Sequence, residues 1–284
     1  MDTTAGLRLA RTVHPGDDPP VVALHGLASS RAWWRLVAER SAYRIVSPDL
    51  RGHGESPKPD DGYGFEAVGA DVVALADELG LTRFVVAGHS WGASVALWLA
   101  AAIPDRVAAC VCVDGGLGDL RSRFSGGWPE AEIAMRPPDL TGIRRADLAG
   151  WAAGPLAEGS DAATVLDIIL AQFEPLDPDR GQTGDTRLRP RLRLDRHLQI
   201  ARELFELDST ALLSRITVPV TAILARDPAG GDWQRGRERG AAQAAEILGG
   251  RLRTVWVDGG HDIPVQRPGP VARALDEAVA SAEL

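Results

Sequence analysis

Six polar residues of this chain stand directly after apolar runs that have the character of buried strands: His25, Asp49, Ser90, Asp114, Asp227 and His261. A hydroxyl, an imidazole and a carboxylate can divide a nucleophilic reaction between them. The imidazole takes the hydroxyl proton, and the carboxylate orients the imidazole and stabilises its charged form. Ser90 is the candidate nucleophile. It sits in Gly88-His89-Ser90-Trp91-Gly92, between the apolar Phe84-Val85-Val86-Ala87 and a small-residue helical stretch, Ala93 to Ala102, that closes before Pro104. Strand, tight turn and helix form the setting that a G-x-S-x-G elbow requires. Gly88 and Gly92 lack the side chains that would strike the neighbouring strand and helix. The helix start aims free N–H groups and a positive dipole at the reacting centre.

The base must come from six histidines. His14 lies in a turn before Pro15, His197 on a helix of the central segment, His53 in a glycine-rich loop, and His89 inside the elbow facing away from the hydroxyl. His25 follows the first buried strand, where its backbone counts for more than its ring. His261, on the glycine-preceded loop after the last strand, is the best placed. Two carboxylates satisfy the order serine, acid, histidine: Asp227 is the first choice and Asp114 the alternative. Asp49 precedes the serine and reads, with Arg51 and His53, as a brace of its own loop. An oxyanion would be held by the backbone N–H groups of Trp91 and of Leu27, which follows His25-Gly26.

These residues need a scaffold, and the rest of the chain supplies one. Residues 7–13 read as a short edge strand. Pro20–Leu24, Tyr43–Ser47, Phe84–Ala87 and Val107–Val113 are near-continuous apolar runs, as expected of strands buried on both faces. Helical periodicity separates them, for example Val68, Val72, Leu75 and Leu79 before Gly80. Such alternation calls for an α/β fold: a mostly parallel, doubly wound sheet with helices on both faces. Residues 119–210 break the rhythm. They carry a Pro/Gly-rich stretch, one helix with Ala162, Val165, Leu166, Ile169, Leu170 and Phe173 on one face, a polar Arg-rich loop over 177–193, and a second helix from about Asp195 to Leu207. No strand signal is present there, so the interval reads as an inserted helical cap. Residues 1–118 and 211–284 then form the core domain, in which Val218–Leu224 and Leu252–Val257 resume the sheet. The cap's candidate contacts to a small-molecule substrate are Trp128, Trp151, Ile169 and Phe173, with His25 from the core. Arg187, Arg189, Arg191 and Arg193 read first as a solvated charged loop, with contact to an acidic substrate as the alternative.

With 284 residues, 45% hydrophobic and 25% charged, the chain can bury a sizeable core. A net charge of −8 argues against nucleic acid or an anionic membrane as partner. Lys58 is the only lysine, in a Pro-flanked loop, which disfavours amine catalysis. Cys110 and Cys112 alternate on one apolar run, facing the same way and too close for ordinary disulfide geometry, and read as buried thiols. The N-terminus lacks the apolar stretch of a signal peptide, and no run is long enough to span a membrane. The expectation is a cytoplasmic monomer or homodimer with no cofactor and no metal, because no histidine–carboxylate cluster has ligand spacing.

Taken together, His25–Ser30 (HGLASS), Asp49–Ser56 (DLRGHGES), Gly88–Gly92 (GHSWG), Ala225–Pro228 (ARDP) and Gly259–Pro264 (GGHDIP) resemble the α/β-hydrolase fold superfamily, in its order and over nearly the whole chain. The resemblance implies Ser90 as nucleophile, His261 as base, Asp227 as acid and 119–210 as the variable cap. One departure concerns the acid. The family often has Gly-x-x-Asp after that strand, whereas Ala225-Arg226-Asp227 sets it one position early. The implied activity is cleavage of an ester-like bond (carboxylic ester, lactone or thioester) of a small, largely apolar substrate through an acyl-enzyme. Perhydrolase or C–C hydrolase chemistry on the same triad, or a non-catalytic receptor-like binding protein, are the alternatives. Haloalkane dehalogenases and soluble epoxide hydrolases share the layout but use an aspartate nucleophile, against which Ser90 argues.

Overall fold

The computed structural model describes residues 6–177, 183 and 185–282. Its main sheet has seven strands: β1 (Arg11–His14), β2 (Asp17–Leu24), β3 (Tyr43–Pro48), β4 (Phe84–His89), β5 (Val107–Val113), and two that arrive late in the chain. Those are Val220–Arg226 and Leu252–Asp258. Between β5 and them the chain forms three short strands of a separate sheet, β6 (Ile143–Arg144), β7 (Phe173–Pro175) and β8 (Arg187–Pro190), so the late pair are β9 and β10. The main sheet runs β1-β3-β2-β4-β5-β9-β10. Every pairing is parallel except that of β1 with β3.

The apolar runs are strands because both of their faces are covered. On β4 and β5, Phe84, Val86, Cys110 and Cys112 belong to one core, under helices Phe65–Glu78 and Trp91–Ala102. Val85, Ala87, Val111 and Val113 belong to the other, under helix Pro268–Ala280. A period of two thus sends alternate residues into two separate cores, and a polar residue at either parity would be buried. The two cysteines face the same core as expected, free and with sulfurs 3.8 Å apart. Among the described residues no helix is long and apolar enough to cross a membrane.

Residues between β5 and β9 leave the sheet without interrupting it, since Cys110–Val113 pair directly with Val220–Ile223. The two stems of the excursion are tied to one another. The Ser209 amide donates to Asp119 Oδ1 at 2.6 Å, and its hydroxyl to the Gly118 carbonyl at 3.2 Å. Within the excursion the expectation of an all-helical segment is corrected by the small sheet, ordered β6-β8-β7 and antiparallel throughout. Its strands have two to four residues, too short and too rich in arginine to register as alternation. The Arg-rich loop is therefore partly β8, while 178–182 and 184 lie outside the described residues. Helix Ala162–Leu170 begins on an Asp161 cap that accepts the Thr164 N–H at 2.9 Å. It ends three residues before Phe173, which belongs to β7 instead. The segment packs on the main body through an apolar cluster that joins Leu148, Val165, Ile168 and Ile169 to Trp33, Leu36 and Val265.

Candidate active site

Ser90 is held at the end of β4 with φ 55° and ψ −119°, a conformation that an ordinary side chain avoids. The turn is fixed from both sides. The Ser90 N–H donates to the Val113 carbonyl at 3.0 Å, and its carbonyl accepts the Ala93 N–H at 3.0 Å. A Cβ on Gly88 would overlap the Gly92 carbonyl, and one on Gly92 would overlap the Leu24 carbonyl. Nothing larger than glycine fits at either position, which is how the pentapeptide forces the strain onto the serine.

Gly26 brings the loop after β2 against the elbow; a Cβ there would stand 3.1 Å from Ser90 Cβ. The N–H groups of Leu27 and Trp91 donate to no protein acceptor among the described residues, as an oxyanion site requires. The next residue, Ala28, has φ 59° and gives its N–H to His53 Nε2 at 3.1 Å. His53 in turn donates from Nδ1 to the Arg51 carbonyl at 2.9 Å and stacks on Trp91 with ring centres 5.3 Å apart. Burial above all, then the neighbouring His25, drives its pKa well below the usual histidine value, so the ring stays neutral and can accept. His25 is wholly buried. It accepts the Leu50 N–H at 3.0 Å and donates to the Gly26 carbonyl at 2.8 Å. It is a brace between two loops, not a substrate contact.

Asp49 also braces. It accepts the N–H groups of Arg31 at 2.7 Å and Glu55 at 2.9 Å, and pairs with the Arg31 guanidinium. Arg51 forms a buried two-point ion pair with Asp71, at 2.6 and 2.7 Å. Both match the sequence reading of that loop.

The acid is where the first choice has to be corrected. His261 Nδ1 donates to Asp114 Oδ2 at 2.6 Å, not to Asp227. Asp227 instead accepts the Ala229 N–H at 2.9 Å in its own turn, and its N–H donates to Gln234 Oε1 at 3.1 Å. Register explains the exchange. Val113 pairs with Ile223, so Asp114 stands level with Leu224. Asp227 is three residues farther on, one past the end of β9 and roughly 10 Å along the chain. Asp114 is turned into place by an unusual backbone (φ 44°) and by donors on its other oxygen, the Ala225 N–H at 2.9 Å and Arg237 Nε at 2.7 Å. Burial raises its pKa, but the His261 and Arg237 hydrogen bonds outweigh that and bring it down to about 2. Burial pulls His261 down, and the Asp114 hydrogen bond and charge more than compensate, so its pKa is raised above 6.5. The imidazole still keeps 48% of its side-chain surface accessible. It is surrounded by protein at its base and open at its edge.

Two contributors escaped the sequence reading. His89 was legible as a residue facing away from the hydroxyl. What could not be read is that its Nε2 donates to the His261 carbonyl at 2.9 Å, tying the base loop to the elbow, with the rings 4.8 Å apart. Burial first, then His261, lowers its pKa to about 3. Arg237 lies on helix Asp232–Leu248 among several arginines, and nothing in its local sequence distinguishes it.

Of the proposed cap contacts, Phe173 alone lines the large cavity between the segment and the main body, of about 1190 Å³. Ile169 is consumed in the cluster around Trp33. Trp128 packs on Phe205 at 5.6 Å beneath Arg202. Trp151 stands exposed on the surface. None of these three lines that cavity; Trp128 instead borders a separate hollow with Tyr63 and Leu198.

Comparison with known proteins supports the fold. A family model described as alpha/beta hydrolase fold matches residues 19–158. The chain is 30% identical to epoxide hydrolase A of Mycobacterium tuberculosis, over 99% of this chain and 97% of that protein. It is 41% identical to lipase LipV of the same organism over 35% of this chain and 38% of that one. Among solved structures, E-2-(acetamidomethylene)succinate hydrolase superposes with a TM-score of 0.74 at 21% identity, covering 96% of both chains.

Proposed function

The chain belongs to the α/β-hydrolase fold family, and on that premise we propose that it is a serine hydrolase cleaving a carboxylic ester, lactone or thioester through an acyl-enzyme. Its relatives are hydrolases, which supports hydrolytic chemistry; the choice of bond rests on the site. One observation carries it: a His261–Asp114 dyad at 2.6 Å on the loop tied to the elbow that presents a strained serine.

In the proposed reaction the neutral imidazole takes the Ser90 proton as the hydroxyl attacks the carbonyl carbon. The Leu27 and Trp91 amides receive the negative oxygen, a contribution of about 3–4 kcal/mol per donor to the barrier. His261 then gives its proton to the departing oxygen or sulfur. A water, deprotonated by the same ring, releases the acid and restores Ser90. Asp114 holds Nδ1–H throughout, which leaves Nε2 as the working nitrogen.

The named epoxide hydrolase relative makes epoxide opening the rival. Against it stands Ser90 at the position where that chemistry uses a carboxylate. A fluorophosphonate probe should label the protein and fail on Ser90→Ala, and a panel of p-nitrophenyl esters and lactones should be turned over while styrene oxide is not. Epoxide turnover without labelling would overturn the proposal. Absence of both, with tight ligand binding, would favour the receptor-like reading.

A further inference from the structure

The cavity under the inserted segment has a charge at odds with the rest of the chain. Six cationic and three acidic side chains line it, in a protein of net charge −8. Most of the arginines are committed to carboxylates. Arg189 meets Glu174 at 2.8 Å and Arg196 meets Asp60 at 2.8 Å. Lys58 is not: it has no carboxylate oxygen within 4.0 Å among the described residues. Its ammonium group donates only to the carbonyls of Gly54 at 2.8 Å and Ser56 at 3.2 Å. Arg191 reaches the same Gly54 carbonyl at 3.5 Å, so two cations converge on one neutral oxygen. Glu174, 3.8 Å from Arg191 and already paired with Arg189, is the nearest compensation. Burial chiefly, then the Arg191 charge, lowers the Lys58 pKa, against the raising effect of Glu174 and Asp49.

The same cavity has an apolar wall, with Phe173 and Leu192, and it reaches Ala28, the neighbour of the proposed oxyanion donor Leu27. We infer that the substrate is an ester-like compound whose acyl chain ends in a carboxylate, the chain lying on Phe173 and Leu192 and the carboxylate held between Lys58 and Arg191. Lys58, Arg189, Arg191 and Glu174 together carry two net positive charges, an excess that a carboxylate would offset in part. Such a substrate would be amphipathic, where the sequence led to the expectation of a largely apolar one. This inference rests on the hydrolase reading for its reaction but not for its binding site.

The test compares p-nitrophenyl butanoate with the mono-p-nitrophenyl ester of glutaric acid, and separately titrates glutarate and inorganic phosphate by calorimetry. In the wild type the anionic ester should have a kcat/KM at least ten-fold higher, mostly through KM, and glutarate should bind more tightly than phosphate. In Lys58→Met the kcat/KM ratio and the glutarate affinity should each fall about ten-fold, with Lys58→Arg restoring part of both. Circular dichroism of each variant checks that it folds. Equal turnover of the two esters, or glutarate binding that Lys58→Met leaves unchanged, overturns the inference while the hydrolase reading stands. Tighter binding of phosphate overturns the choice of carboxylate. If neither ester is cleaved yet glutarate binding depends on Lys58, the site survives and the hydrolase reading fails.

Discussion

Arg237 grips Asp114 through two hydrogen bonds of 2.7 Å, Nε to Oδ1 and Nη2 to Oδ2, while that carboxylate also accepts the His261 Nδ1–H. The guanidinium fixes the plane of the acid and offsets part of its charge. Its own charge also works against protonation of His261. Replacing Arg237 with Met should therefore move the acid limb of the kcat/KM profile to higher pH and lower kcat about ten-fold. Because a buried acid loses a partner, stability should fall by about 2–4 kcal/mol. A pH–rate profile beside a urea melt reads both.

The two candidate acids separate cleanly by mutation. Asp114→Asn should lower kcat by roughly 10³–10⁴-fold, since an amide no longer favours the Nδ1–H form of His261. Asp227→Asn touches only its own turn and should leave kcat within about two-fold. Steady-state turnover of any active p-nitrophenyl ester decides between them, and equal effects would refute the assignment.

The pH dependence follows from the two shifts. His261 must be neutral to act, and its pKa is raised, so kcat/KM should climb with pH through a midpoint above 6.5. For stability the signs are opposite. A raised histidine stabilises fully below its unfolded value of 6.5, and that contribution fades as pH rises through the folded value. Asp114, lowered to about 2, stabilises above 3.8 and loses that contribution as pH falls toward 2. The stability gap between wild type and His261→Ala should thus be larger near pH 5.5 than near pH 9, measured by denaturant titration.

His53 supports the oxyanion loop without touching the serine. Removing its ring in His53→Ala leaves the Ala28 N–H without its acceptor and a void beside Trp91. The expected result is about 2 kcal/mol of lost stability and a drop in kcat of roughly ten- to hundred-fold, short of deleting an oxyanion donor outright. Kinetics and a thermal melt on the variant check it; an unchanged kcat would show that the loop holds its shape unaided.

The sheet was legible because burial on both faces leaves long apolar runs, and Ser90 because glycine on each side of it is a steric demand visible in the letters. Asp114 and Asp227 looked alike because each simply follows a strand. What separates them is how far β9 overshoots β5, a matter of register that neither strand's own residues encode. The small sheet was hidden by its brevity. Arg237 and Lys58 were hidden because a cation's role depends on which carboxylates the fold leaves free, and no spacing rule reports that.

The knot at Gly118, Asp119 and Ser209 closes about ninety residues into a loop whose ends meet beside two strands already bonded to each other. The residues of the proposed reaction stand on the loops of the sheet, and the cationic cavity is walled largely from the excursion. A graft exchanged at that knot would carry a new appetite to an unchanged chemical engine, so selectivity and turnover can be engineered one at a time.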